Sequence, residues 1–209
     1  MVKIKAPMMS LDAAGSLGNA IVFSTWKGQP YVRANVSPKN PKSAAQTGIR
    51  AMLSFLSPEW KNLTAEQQAT WAELAAAKNQ SPINAYIAYN VQRWRTFKGP
   101  TKAYPPALTP DDRSGDMNCL PGPRHVRVHV VANAGPNEWG LIVLRDTAEI
   151  TVPTWSQVIA VLKGYGPATW STHYDYPLAI GTYHYVFYPF NDCGRLGSMS
   201  DDVPINVTE

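Results

Sequence analysis

Catalytic signatures are missing from this 209-residue sequence. It has no glycine-rich phosphate loop followed by Lys-Ser/Thr, no His-Glu-x-x-His and no Cys-x-x-Cys. His125 and His129 lie four apart. On a strand that spacing puts them on one face but about 13 Å apart, too far to share an ion. Asp111, Asp112 and Asp116 lack the alternate spacing, glycine and distal glutamate of a calcium loop. These gaps give the expectation of a chain that is not an enzyme and takes no metal and no cofactor.

Cysteine is scarce too. Cys119 and Cys193 are too few for a disulfide framework. They either pair with each other or stay as thiols in a reducing compartment, and the second reading is the one expected. No apolar run reaches the ~18 residues of a membrane span. The start, MVKIKAPMMSLDAAGS, lacks the continuous apolar stretch of a signal peptide. The expectation is therefore cytoplasmic assembly with no membrane partner.

Charge is sparse and uneven. Charged residues are 16% of the chain, against about 25% in ordinary soluble domains. Residues 1–108 hold 13 Lys/Arg and 4 Asp/Glu, a balance of +9. Residues 109–209 hold 6 and 11, a balance of −5. A basic half joined to an acidic half points to two environments or partners. What is plentiful is turn formers and aromatics: 18 Pro, 14 Gly, 7 Trp and 10 Tyr.

The pattern along the chain reads as α+β and multi-domain. Residues 1–14 look like an extended arm. Residues 15–98 read as a β-hairpin plus three helices. Ala20–Trp26 and Tyr31–Val36 are rich in strand formers, with Gly28 in the turn between them. An isolated hairpin is marginal in water, so this one needs something to pack on. The first helix is expected from Ala44 to Leu56, ended by Ser57-Pro58. Thr64 and Gln67 fit a capping box for a second helix over Ala65–Lys78. Ser81 and Pro82 start a third helix. Its stripe is Ile83, Tyr86, Ile87, Asn90, Val91 and Trp94. Asn90 interrupts the stripe and is expected to bond a neighbouring loop's backbone. Residues 99–123, with repeated prolines, read as a semi-rigid linker. From 124 to 209 alternating strands separated by turns predict an all-β, immunoglobulin-like sandwich.

Two resemblances sharpen this. The segment from Leu178 through Gly181-Thr182-Tyr183, the strand to Phe190 and the loop Asn191–Arg195 resembles the late strands of a fibronectin type III domain. That resemblance covers residues 121–209. No early-strand Trp is matched, because Trp139, Trp155 and Trp170 compete for the place. The N-terminal half resembles short uncharacterised proteins of tailed bacteriophages and prophages. The matching residues are Gly15–Asn19, Lys27-Gly28, Tyr31-Val32-Arg33, Asn40-Pro41-Lys42, Gln46, Arg50, Trp60, Leu63, Thr64, Gln68, Trp71 and Ala75. This second resemblance implies a virion structural protein.

The expectation is a structural component of a phage particle, a head decoration or head–tail accessory protein. It would dock on capsid or connector proteins through Lys3, Lys5, Trp26, Lys27, Tyr31, Arg33, Lys39 and Lys42, and self-associate through the hairpin or arm. The sandwich would project. Two alternatives stand beside it. One is a nucleic-acid-binding module using Arg93, Arg95, Lys98 and Lys102, interleaved with Trp94, Phe97 and Tyr104. Cations at a helix C-terminus also suit the helix dipole without any ligand. The other is a glycan-binding adhesion protein, which requires Trp139, Trp155 or Trp170 to be exposed beside polar groups.

Overall fold

The computed structural model describes residues 2–3, 15–18, 20–36, 42–107, 115–132, 138–164 and 170–209. The chain divides into two units, residues 1–41 and 42–209.

The first unit is one antiparallel sheet. Its strands are β1 (Val2–Lys3), β2 (Gly15–Leu17), β3 (Ile21–Trp26) and β4 (Gln29–Ala34), in the order β1-β4-β3-β2. Lys27 and Gly28 both have positive φ, 49° and 75°. That is the type I′ geometry whose twist matches the flanking strands. The hairpin thus forms where the sequence places it, and it gains a strand on each side. None of the described side chains in 15–36 is buried.

The second unit has three layers. Its helices are α1 (Ala44–Asn62), α2 (Ala65–Ala69), α3 (Trp71–Ala77) and α4 (Pro82–Arg95). Its strands are β5 (Gly115–Gly122), β6 (His125–Ala132), β7 (Glu138–Asp146), β8 (Val158–Lys163), β9 (Ser171–Asp175), β10 (Gly181–Asn191) and β11 (Val203–Val207). They form a three-stranded sheet, β5-β6-β9, and a four-stranded sheet, β11-β10-β7-β8, both antiparallel. Val126, Val128 and Val130 of one sheet meet Leu141, Val143, Tyr185 and Phe187 of the other. The opposite face of the four-stranded sheet carries Trp139, Ile142, Leu144, Val158, Val186 and Phe190. These pack on Met52, Phe55, Leu56, Trp71, Tyr86 and Trp94 of the helices. The central sheet is buried on both faces, which is why Leu141-Ile142-Val143-Leu144 is uniformly apolar instead of alternating.

This arrangement corrects the expected domain plan. The helices belong with the sandwich, not with the hairpin, because the two share one core. Of the expected linker, residues 99–107 and 115–123 are not a spacer, and residues 108–114 lie outside the described residues. Gly99, Pro100 and Thr101 are buried, and Asn90 clamps Thr101 from both sides. Its Nδ2 donates to the Thr101 carbonyl at 3.1 Å and its Oδ1 accepts from the Thr101 amide at 2.8 Å. That is the loop partner expected of Asn90. Trp71 Nε1 donates to the Lys102 carbonyl at 2.9 Å. Residues 115–122 are already the first strand of the sandwich. Of the expected arm, residues 2–3 pair with β4. Residues 4–14 lie outside the described residues.

Helix bounds shift as well. α1 runs through Pro58 to Asn62. The proline deletes one backbone bond, but Phe55, Leu56, Glu59 and Leu63 are buried on either side of it and hold the helix. The second expected helix breaks at Thr70. Its hydroxyl donates to the Gln67 carbonyl at 2.6 Å and accepts the Tyr104 amide at 3.0 Å. The Thr64–Gln67 capping box forms, and Ser81 accepts the Asn84 amide ahead of Pro82. Gly48 lets α1 lie directly on the segment before β8. A Cβ there would stand 2.5 Å from the Trp155 carbonyl oxygen.

Candidate functional site

The candidate contact residues fall into two groups. In the first unit, the register sets Val22 opposite Arg33, Ser24 opposite Tyr31 and Trp26 opposite Gln29. Directly opposite residues share a face, so Trp26, Tyr31 and Arg33 lie together, and Lys3 is the backbone partner of Tyr31. Trp26 is 65% exposed. Lys27 occupies the turn. The other face is apolar: Leu17, Ile21, Phe23, Pro30, Val32 and Ala34. Among the described residues, Thr25 adds a hydroxyl to it. Lys5 and Lys39 lie outside the described residues. Lys42 belongs to the second unit, just ahead of α1.

The division at residue 41 also redraws the charge. Residues 1–41 carry five Lys/Arg and one acid, Asp12. Residues 42–209 carry 14 of each sign. The net +4 of the chain therefore resides in the first unit. A division at residue 108 hides this, because it counts the cations of α1 and α4 together with those of the hairpin.

The cluster expected to meet nucleic acid is occupied by internal work. Arg93 Nε donates to the Gly99 carbonyl at 2.9 Å, and its Nη2 to the Gly194 carbonyl at 2.8 Å. The guanidinium thus ties α4 to the loop after β10. Lys102 Nζ sits 5.4 Å from the centre of the Trp139 ring, and the Lys102 amide donates to the Asp192 carbonyl. Arg95 and Lys98 are exposed. Arg93 and Lys98 border a cavity of about 420 Å³ with Arg195. Trp94 is fully buried, and Phe97 and Tyr104 are part of the helix–sheet core. The aromatics needed for base stacking are used in packing.

The tryptophans that an adhesion surface needs divide the same way. Trp139 is buried, with Nε1 donating to Glu59 Oε2 at 2.8 Å. Trp155 packs on the helix–sheet core. Trp170 alone of the three is exposed, edge-on to His129.

Sequence reasoning missed Glu59. This carboxylate is buried at the end of α1. It also accepts from Lys163 Nζ and Asn62 Nδ2, each at 2.8 Å. Burial pushes its pKa up, but the hydrogen bonds from Lys163, Trp139 and Asn62 outweigh that and hold it below the ordinary value. Its partners lie 80 and 104 residues away, so no local signal marks it.

Among the described residues no cluster of three His, Cys, Asp or Glu could hold a metal ion. No described helix is long and apolar enough to cross a membrane. No disulfide joins the two cysteines: Cys119 lies in the inter-sheet core, its thiol pushed up to about 12 by burial, and Cys193 Sγ donates to Asp192 Oδ1.

No protein family matches the chain, and no curated protein matches it. Two solved structures show a distant likeness. One is the spore cortex lytic enzyme SleM of Clostridium perfringens, at 15% identity and a TM-score of 0.34. The likeness covers 46% of this chain and only 28% of that one. The other is a fibronectin type III domain of the human KIAA0970 protein, at 12% identity and a TM-score of 0.33, covering 46% of this chain and 73% of that domain. The expectation that the chain is not an enzyme is corrected here, because one of these two neighbours is an enzyme. At that TM-score neither likeness carries an activity to this chain. What stands is an α+β protein with a fibronectin type III domain among its structural neighbours.

Proposed function

We propose that this chain is a structural component of a tailed-bacteriophage particle, a head decoration or head–tail accessory protein that docks through residues 1–41. The observation that carries the reading is the bare N-terminal sheet. It has four strands, one apolar face and no buried side chain among its described residues 15–36. Phe23, Pro30 and Val32 on the apolar face are only half-buried, and cover from a partner would stabilise them further. Its excess of positive charge favours an acidic partner surface and steers the encounter. Of the phage-like residues, Gly15–Leu17 form β2, Lys27-Gly28 the turn and Tyr31–Arg33 part of β4 in this same sheet. We also infer that residues 115–209 form a fibronectin type III-like sandwich. The three-plus-four strand arrangement supports this. So does the hydroxyl of Tyr183, which donates back to the Ala179 carbonyl at 3.1 Å, as in the tyrosine corner of such folds.

The test is density-gradient sedimentation of particles from the source, with mass spectrometry for this chain. Co-banding with DNA-filled particles at many copies is the expected result. Absence from particles, with a purified protein that binds none, would overturn the reading.

A further inference from the structure

The polar face of the N-terminal sheet holds what the 93–102 cluster lacks, cations beside aromatic rings that are not spent in a core. On β3 and β4 that face carries Val22, Ser24, Trp26, Gln29, Tyr31 and Arg33. Trp26 stands opposite Gln29, and Tyr31 is two residues further along β4. The two aromatics are therefore diagonal neighbours, a spacing that aromatic side chains bridge. Trp26 is 65% exposed and Tyr31 is half-buried.

A cation stands at each end of this pair. Lys27 follows Trp26 in the turn, and Arg33 lies two residues beyond Tyr31 on the same face. Both are exposed. About 13 Å of strand separates the Trp26–Gln29 pair from Arg33. No acidic residue occurs from 15 to 36, so the hairpin itself holds no counter-charge for Lys27 or Arg33. The order along the face is cation, indole, phenol, cation.

That order discriminates between anionic partners. Single-stranded nucleic acid uses both kinds of group, its bases stacking on rings and its phosphates meeting cations. A duplex keeps its bases stacked on one another, so it can use the cations and not the rings. An acidic protein surface needs the cations and has no use for two adjacent rings.

We propose that this face binds single-stranded nucleic acid. Successive bases stack on Trp26 and Tyr31, and the flanking phosphates meet Lys27 and Arg33. At about 3.4 Å per stacked nucleotide, the row takes a short run of the strand. A line of phosphates also matches the balance of residues 1–41, five Lys/Arg against one acid. This binding goes beyond the docking proposed above and does not rest on it, since the apolar face lies on the other side of the same strands.

The test is fluorescence anisotropy with the full chain, purified alone. The labelled probes are oligothymidylate, oligouridylate, an abasic strand and a duplex of the same length, and polyglutamate. One of the two base-bearing single strands should bind at least tenfold tighter than the abasic strand, the duplex or polyglutamate. Whichever of the two binds tighter identifies DNA or RNA. Affinity should fall with salt by a log–log slope of about −0.7 per phosphate contacted. Trp26→Ala should weaken binding roughly tenfold and leave the slope unchanged. Trp26→Phe keeps a ring and should restore most of the affinity. Arg33→Gln should make the slope shallower by about 0.7. An abasic strand or a duplex binding as tightly as the single strands would mean that charge alone is read, and overturns the proposal. Polyglutamate binding tighter would identify an acidic protein surface and overturns it as well. So does an absence of binding, or binding that neither Trp26→Ala nor Arg33→Gln changes. The assay contains no particle, so absence of the chain from particles leaves each of these outcomes intact.

Discussion

Two four-stranded antiparallel sheets in one chain make opposite use of their faces. The sheet β11-β10-β7-β8 is covered by helices on one side and by a second sheet on the other. The sheet β1-β4-β3-β2 carries an equally apolar face, yet its described residues 15–36 include no buried side chain. The propensities are alike, since both are rich in Val, Ile, Tyr and Phe. Strand formation therefore does not distinguish them. What differs is the number of apolar surfaces the chain itself supplies to each. The first of these sheets has cover on both faces, and among the described residues 15–36 of the second no side chain is more than half-buried.

The comparison can be broken by truncation at matched positions. Phe190→Ala in the covered sheet removes a ring that packs on Phe55 and Trp139. It should cost about 3–5 kcal/mol, read by chemical denaturation. Phe23→Ala in the bare sheet should change the denaturation midpoint of residues 42–209 very little, and should lower the copy number on particles. An equal loss of stability from both would mean the bare sheet is covered within the chain.

Next in size is Asn90→Ala. It leaves the Thr101 amide and carbonyl buried without their partner, at about 2–4 kcal/mol. A value near zero would mean that residues 99–103 are held from elsewhere. Glu59→Gln should cost about 1–3 kcal/mol, and the effect depends on pH. Glu59 is depressed in the folded protein. Its contribution is therefore present above the unfolded pKa and lost as pH falls through the folded one. The difference between the wild type and Glu59→Gln should shrink steadily on acidification below the ordinary glutamate value of 4.5, as followed by denaturation at several pH values. The smallest effect is expected from Arg33→Gln, on an exposed strand position. It should alter stability by under about 0.5 kcal/mol while weakening particle association at moderate salt.

Local features were legible in the sequence because their causes are local. Lys27-Gly28 specifies its turn, Thr64 and Gln67 their capping box, and Ser81-Pro82 a helix start. Asn90 announced a loop partner because an amide on an apolar stripe needs one. The sandwich was legible from alternating valines in β6 and the aromatic run of β10. What failed to read was everything set by distance. The linker reading rested on proline content, and prolines also occur in a segment pinned by Trp71, Asn90 and Arg93. Pro58 looked like a stop, but burial of Phe55, Leu56 and Glu59 overrides one lost hydrogen bond. The cations near 93–102 looked like one surface patch. Arg93 and Lys102 are instead spent on a carbonyl pair and a tryptophan ring.

The doubly covered sheet has a consequence for how such a chain can be cut and recombined. A sandwich that faces water on both outer sides is a portable module, free to be shuffled between proteins. Here the piece that resembles such a module, residues 121–209, would leave with Ile142, Leu144, Val186 and Phe190 stripped of their helical cover. Among the described residues of 42–209 the helices and the sheets share one core and have to be kept together, whereas the division at residue 41 falls between the two units.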